Sequence, residues 1–293
     1  MLKILGRFFI RTVKIIADST CDLSKELLEK YDVSIIPLGI NLDDKSYLDG
    51  IDIFPDDIFV WSDEHKTTPK TSSAPFDAIM ERLEPFDKED TDIVFIGISE
   101  KMSVTCNSVR LAGEELKNAR IFVVDSMNLS TGIGLQVISA AKMAAKGMAA
   151  EDIVAALEEL RTRVRSSFVV DTLTFLHRGG RCSAVTALFG NTLKLKPEIF
   201  VENGSMGVGK KYRGKQDSVI VKYAADRKEG LLSADKSMVF ITHSGCDEAV
   251  IESVKKFIEE LGCFEEIFVT RAGGVISSHC GPATLGVLYI EAE

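Results

Sequence analysis

The chain has 293 residues, 45% hydrophobic and 27% charged, enough for one large or two ordinary domains. A formal net charge of −9 argues against a sequence-independent grip on nucleic-acid phosphates and against a broad electrostatic footprint on anionic membranes. No apolar run approaches the roughly 20 residues that span a bilayer, and six scattered cysteines with no C-x-x-C pair fit reduced cytoplasmic thiols better than a zinc site or a disulfide framework.

Residues 1–11 interleave Lys3, Arg7 and Arg11 with Leu2, Ile4, Leu5, Phe8, Phe9 and Ile10. This short basic piece lacks the longer apolar region and the small-residue cleavage site of a signal peptide. A membrane-surface helix is one reading; a flexible extension is the expected one. Residues 14–17 predict a strand that ends in Asp18-Ser19-Thr20. A helix over 23–31 follows, with Asp22 or Ser24 as its cap and Leu23, Leu27 and Leu28 on one face. Residues 34–42 predict a second strand. Residues 92–98 and 120–124 are continuous apolar runs, the kind buried on both faces of a parallel sheet. Helical stretches at 76–83, 109–116 and 132–146 complete an alternating pattern that implies a doubly wound α/β domain with right-handed crossovers. Residues 43–73 break the rhythm with Pro55, Pro69 and Trp61, and an irregular stretch of that length predicts a lid or binding loop.

The second half has a different texture. Ile153, Leu157, Leu160 and Val164 fall at helical spacing and predict a helix over 151–165, followed by a strand over 167–173. Residues 198–201 and 206–212 predict a hairpin around Asn203-Gly204. Strands are expected at 237–242, 266–270 and 285–290, with a helix between the first two whose face carries Val250, Val254, Phe257, Ile258 and Leu261. The mixture predicts an α+β domain packed against its own core. The boundary near Ser166 divides the chain into 12–165 and 166–293.

Three first-half strands end in similar chemistry: Asp18-Ser19-Thr20, Ser99 to Ser103 with Thr105, and Asp125-Ser126 with Ser130-Thr131. The irregular stretch adds Thr71-Ser72-Ser73. Ligands of open α/β sheets sit outside the carboxyl ends of the strands, where hydroxyls and helix N-terminal amides suit a carboxylate or phosphate. For any one of these residues helix capping is the simpler role; four such loops together favour an anion-holding site. Leu176-His177-Arg178-Gly179-Gly180-Arg181 predicts a turn in which glycines permit close approach and arginines offer planar donors, or else a plain solvated turn. His279 lies in a glycine-rich loop, 273–282, between two strands, placed to meet a carboxylate. Cys280 beside it raises a Cys-His nucleophile, an arrangement that chain neighbours rarely form. No phosphate-binding glycine loop, dinucleotide fingerprint or nucleophile elbow stands in the sequence, and no histidine–cysteine–acid spacing suggests a metal.

The residues that carry a resemblance come in a fixed order. They are Ile15-Ile16-Ala17-Asp18-Ser19-Thr20, Lys70-Thr71-Ser72-Ser73-Ala74-Pro75, Ser103-Val104-Thr105-Cys106-Asn107-Ser108 and Val124-Asp125-Ser126. The second half adds Thr172-Leu173-Thr174-Phe175-Leu176-His177-Arg178-Gly179-Gly180-Arg181, Lys196-Pro197, Tyr212-Arg213-Gly214 and His279-Cys280-Gly281-Pro282. Over residues 12–293 the chain resembles the DegV family of bacterial fatty-acid-binding proteins. The resemblance implies a non-catalytic protein of two α/β domains with an acyl chain buried between them and no cofactor. It implies that Thr71, with Ser72 beside it, Ser103 and His279 hold the fatty-acid carboxylate. Arg178 and Arg213 match motif arginines and are assigned to partner docking or support of the site. The implied partner is a separate fatty acid kinase subunit, which phosphorylates the presented carboxylate to an acyl phosphate for phospholipid synthesis.

Two departures from the family pattern bear on the site. Val104 stands where the family's serine loop usually has glycine, so positive φ is disfavoured there and bulk is added near the head group. Ser278, Cys280 and Ala283 alter the histidine loop. Two other classes remain open: an enzyme on a small anionic substrate with Asp18, Asp125 or His279 as acid–base groups, and an interaction module that docks through 178–181.

Overall fold

The computed structural model describes residues 11–186 and 195–293. The extension expected at 1–11 lies outside the described residues except for Arg11, whose guanidinium bonds Asp92 Oδ1 at 2.6 Å. The first-half strands are β1 (Thr12–Asp18), β2 (Ser34–Ile36), β3 (Gly39–Leu42), β4 (Lys45–Leu48), β5 (Lys70–Ser72), β6 (Thr91–Gly97) and β7 (Arg120–Asp125). Four of them form a parallel sheet of order β2-β1-β6-β7. β6 is buried along its whole length, which is why its sequence is an unbroken apolar run. On one face Ile16, Ile93 and Phe95 meet the helices Phe76–Leu83 and Thr105–Gly113. On the other, Ile15, Val94 and Ile96 meet the helices Thr131–Ala145 and Ala150–Leu160. The first half is doubly wound.

Two expectations for this half need correction. Residues 34–42 are two strands in two different sheets, because Pro37 has no N–H to give a ladder and ends β2. The stretch 43–73 is ordered. β3, β4 and β5 form an antiparallel sheet of order β4-β3-β5, and the helix Pro55–His65 starts with proline at its first turn and an Asp57 carboxylate on Phe54 N at 3.0 Å. Strands this short show no period in the sequence. The result places Thr71 on β5, opposite Ile40 of β3.

The second-half strands are β8 (Val164–Val169), β9 (Lys196–Glu202), β10 (Ser205–Tyr212), β11 (Ala234–His243), β12 (Glu266–Arg271) and β13 (Leu285–Glu291), in one mixed sheet of order β10-β9-β8-β13-β11-β12. β9 and β10 form the expected hairpin about Asn203-Gly204, both at positive φ. The helix expected over 151–165 ends at Leu160, because Val164 and Arg165 pair with Ile290 and Tyr289 of β13. Two further corrections concern the candidate loops. Residues 174–179 form a short helix, Thr174–Gly179, and the histidine loop is the helix Gly274–Cys280.

The second half does not keep its core to itself. Its outer face packs Val239, Ile241 and Val287 against Tyr223, Val254 and Ile258 of two covering helices. Its inner face joins Phe168, Phe240 and Leu288 to the same cluster that contains Ile15 and Val94 of the first sheet. Between the two sheets lies Thr131–Ala145, with Ile133, Leu135, Val137 and Ile138 all fully buried. A helix apolar all round has to be enclosed, and this one is enclosed by both sheets. Among the described residues no helix is long and apolar enough to cross a membrane.

A shared core implies joint unfolding. We expect Trp61 fluorescence and far-ultraviolet circular dichroism to give coincident denaturant transitions. Ile138→Ala should lower both together by about 2–5 kcal/mol. Separated transitions would show that each half is stable alone.

Candidate functional site

A cavity of about 530 Å³ opens between the two halves, inside the range of roughly 300–1,000 Å³ usual for small-molecule sites. Its apolar wall includes Ile98, Met102 and Leu129 from the first half, with Phe168, Met206 and Leu288 from the second. Hydroxyls and charged groups gather on another part of the lining: Thr71, Ser72, Ser73, Ser103, Arg181 and His279. The volume sits where the two sheets, held apart by the helix Thr131–Ala145, leave their packing incomplete.

Thr71 and His279 meet across the cavity, with Oγ1 and Nε2 2.8 Å apart. Burial, followed by the charge of Arg181, lowers the His279 pKa to about 4, so the imidazole is neutral at ordinary pH. Nδ1 is buried without a hydrogen-bond partner among the described residues. It faces the backbone of Gly179 so closely that a Cβ there would collide with it. That contact gives the first glycine of the pair at 179–180 its physical reason. The second, Gly180, ends the helix Thr174–Gly179 in the left-handed region at φ 68°.

Two buried carboxylates hold the histidine helix at its other end. Asp49 accepts from Gly274 N at 2.7 Å and Val275 N at 3.3 Å, and Ser19 Oγ donates to it at 2.8 Å. Asp22 accepts from Gly273 N at 2.8 Å and from Ser130 Oγ at 2.5 Å. Burial raises the pKa of both. The first hydroxyl loop therefore builds the scaffold and does not line the cavity. Asp18 belongs to the same layer: it accepts from Thr20 N at 2.9 Å and Ile98 N at 2.7 Å, and burial pushes its pKa up to about 6.

The remaining expected residues divide cleanly. Ser103 lines the cavity at the start of the helix Thr105–Gly113, bonded to Thr105 Oγ1 at 2.8 Å, and Ser72 lines it beside Thr71. Arg178 and Arg213 are exposed, stand off the lining, and make no hydrogen bond or ion pair among the described residues. The arginine that reaches the cavity is Arg181, held by Gly179 O at 2.8 Å. Sequence reasoning quoted this residue within its motif but did not place it in the site. The signal was the left-handed turn at Gly180, which aims the next side chain back over the helix.

Of the three acid–base candidates, Asp18 and Asp125 do not line the cavity, and Asp125 accepts from Met127 N at 2.8 Å. Only His279 does. The Cys280 thiol is pushed up to about 12 by burial, so it is no ready thiolate, and the His279 ring is turned to Thr71. Val104 also departs from expectation. Its φ of −88° lies in a region open to valine and its side chain is 66% exposed at the cavity mouth, so neither strain nor crowding results.

Comparison with known proteins gives the family and the fold. The sequence profile of the DegV family, described as uncharacterised proteins, matches residues 12–292. A DegV domain-containing protein of Clostridium perfringens is 32% identical over 279 residues, covering 95% of this chain and 98% of that one. Among solved structures, a DegV family protein from Thermus thermophilus described for fatty acid binding superposes with a TM-score of 0.87 at 30% identity, covering 96% of this chain and 100% of that one. A stearic acid-binding protein from Eubacterium ventriosum gives 0.83 at 29% identity, covering 95% and 98%.

The lowered pKa of His279 has a stability consequence of definite sign. Below 6.5 the unfolded imidazole takes a proton before the folded one does, so stability drains as pH falls from 6.5 to about 4. We expect His279→Phe to flatten that part of the stability–pH curve relative to the unsubstituted protein, and imidazole NMR to put the His279 midpoint near 4. An ordinary midpoint would mean that the ring is solvated. Gly179→Ala should drive the ring out of its place while circular dichroism stays unchanged. Its midpoint should then return toward 6.5, and an unmoved midpoint would count against the close approach.

Proposed function

We propose that this chain, which belongs to the DegV family, binds a long-chain fatty acid in the cavity and presents its carboxylate to a separate kinase subunit. The observation that carries this reading is the Thr71–His279 pair, at 2.8 Å, in the lining of a cavity that also has an apolar wall. Burying the tail is the driving force, since each CH₂ removed from water contributes about 0.8 kcal/mol. The carboxylate loses its hydration on entry and needs donors in exchange. Thr71, Ser72, Ser103 and Arg181 supply them.

His279 acts through a tautomer. With its proton on Nε2 it donates to Thr71 Oγ1, which frees the threonine proton for a carboxylate oxygen. A neutral imidazole is what that role requires, and burial keeps it neutral. In the kinase step a carboxylate oxygen attacks the γ-phosphorus of ATP, the bond to ADP breaks, and an acyl phosphate forms. The partner brings the nucleotide; this chain holds the nucleophile in place and excludes water from the tail. Arg178 and Arg213, exposed and without partners among the described residues, are assigned to docking that subunit.

Native mass spectrometry of the protein purified from a bacterial host should show a stoichiometric fatty acid, identified after extraction. Thr71→Val and Ser103→Ala should each weaken binding roughly 10- to 100-fold, the worth of a hydrogen bond to a charged group. An empty protein that also refuses added C14 to C18 acids would overturn the reading. Arg178→Glu and Arg213→Glu should leave binding intact. With a bacterial fatty acid kinase subunit and ATP they should abolish hydroxylamine-trapped acyl phosphate. Unchanged phosphorylation would remove them from the docking surface.

A further inference from the structure

Three threonine hydroxyls form a buried chain beside the cavity. Thr131 Oγ1 lies 2.6 Å from Thr242 Oγ1, which lies 3.1 Å from Thr270 Oγ1. All three residues are buried, and only Thr242 lines the cavity. None of the three side chains has another hydrogen-bond partner among the described residues. Three hydroxyls carry three protons, but the two bonds between them use only two. A chain running in one direction leaves an enclosed O–H on Thr131 or Thr270 with nothing to accept it, which buried groups avoid. One arrangement leaves no enclosed proton unplaced: Thr131 and Thr270 both donate to the two lone pairs of Thr242. The proton of Thr242 then points into the cavity.

A plain hydrocarbon chain offers nothing to that proton.

We infer that the cavity prefers an acyl chain carrying a second acceptor oxygen, a hydroxy or oxo fatty acid, whose oxygen takes the proton of Thr242. The inference rests on the fatty-acid reading and narrows its ligand class. It is tested by calorimetric titration of the delipidated full-length protein with stearate, 10-hydroxystearate, 12-hydroxystearate and 10-oxostearate. At least one oxygenated acid should bind about fivefold or more tighter than stearate. The ratio should collapse toward one in Thr242→Val and return in Thr242→Ser. If Thr242→Val does not fold, Thr242→Cys, which keeps the volume and loses the strong donor, applies the same test. Stearate binding as tightly as every oxygenated acid, or a preference that survives loss of the hydroxyl, would overturn the inference alone. Failure of all four acids to bind would remove the fatty-acid reading and this inference together.

Discussion

Neither sheet can bury its inner face without the helix Thr131–Ala145, and that helix cannot be enclosed by one sheet. Gln136, at its centre, shows how complete the enclosure is. It is fully buried and uses its amide nitrogen on Ser126 O and Gly132 O, both at 3.0 Å, within the same layer. The two halves are therefore one packing unit, although their topologies differ. The cavity is a product of this constraint. It lies at the N-terminal end of the helix, where Leu129 and Ser130 reach it and Thr131 joins β11 through Thr242. A ligand there touches both halves because the core has already brought them together.

The electrostatic layout follows from burial. Asp18, Asp22 and Asp49 stand one layer behind the cavity, all with raised pKa values, and each is saturated with backbone N–H and hydroxyl donors. Donors turned toward these acids fix the loop that precedes the histidine helix and the helix itself. Facing the cavity are groups of the opposite kind: hydroxyls, a neutral imidazole and the guanidinium of Arg181. The lining also holds the carboxylate of Glu100, which is paired with Arg110, and the ammonium of Lys101. The same lowering of the His279 pKa costs stability at acid pH, which is a sign that the position serves something other than stability.

Much of the fold was legible because long buried strands and amphipathic helices write their periods into the chain. β6, the Asn203-Gly204 hairpin and the helix Glu248–Leu261 are such cases. What was not legible depended on partners distant in sequence. β5 is three residues long and exists because Gly39 to Asn41 pair with it. The helix Gly274–Cys280 begins with glycine, a weak helix former, and is stabilised by Asp49, which no local rule connects to it. Thr71, Ser103 and His279 came from the family resemblance, and their hydroxyl and imidazole chemistry agreed with it. Thr242 gave no local signal, because its meaning lies in Thr131 and Thr270, which the fold alone brings within reach.

The stretch Leu176 to Arg181 joins these threads. As a sequence it offered a choice between a solvated turn and a site, and the structure makes each residue answer separately. Leu176 is buried in the cavity wall, and Gly179 lets its helix lie against the His279 ring. Gly180 reverses the chain in a conformation that a side chain resists, and beyond it Arg181 reaches the cavity lining while Arg178 stands off it, both arginines being exposed. Two arginines three positions apart thus serve different purposes. One raises the potential at the imidazole, and the other is presented to solvent. An exchange of the two glycines for alanines would not simply stiffen a turn: it would move the ring at one position and swing the arginine at the other. The motif is a mechanical link between the inside of the cavity and the surface around its mouth.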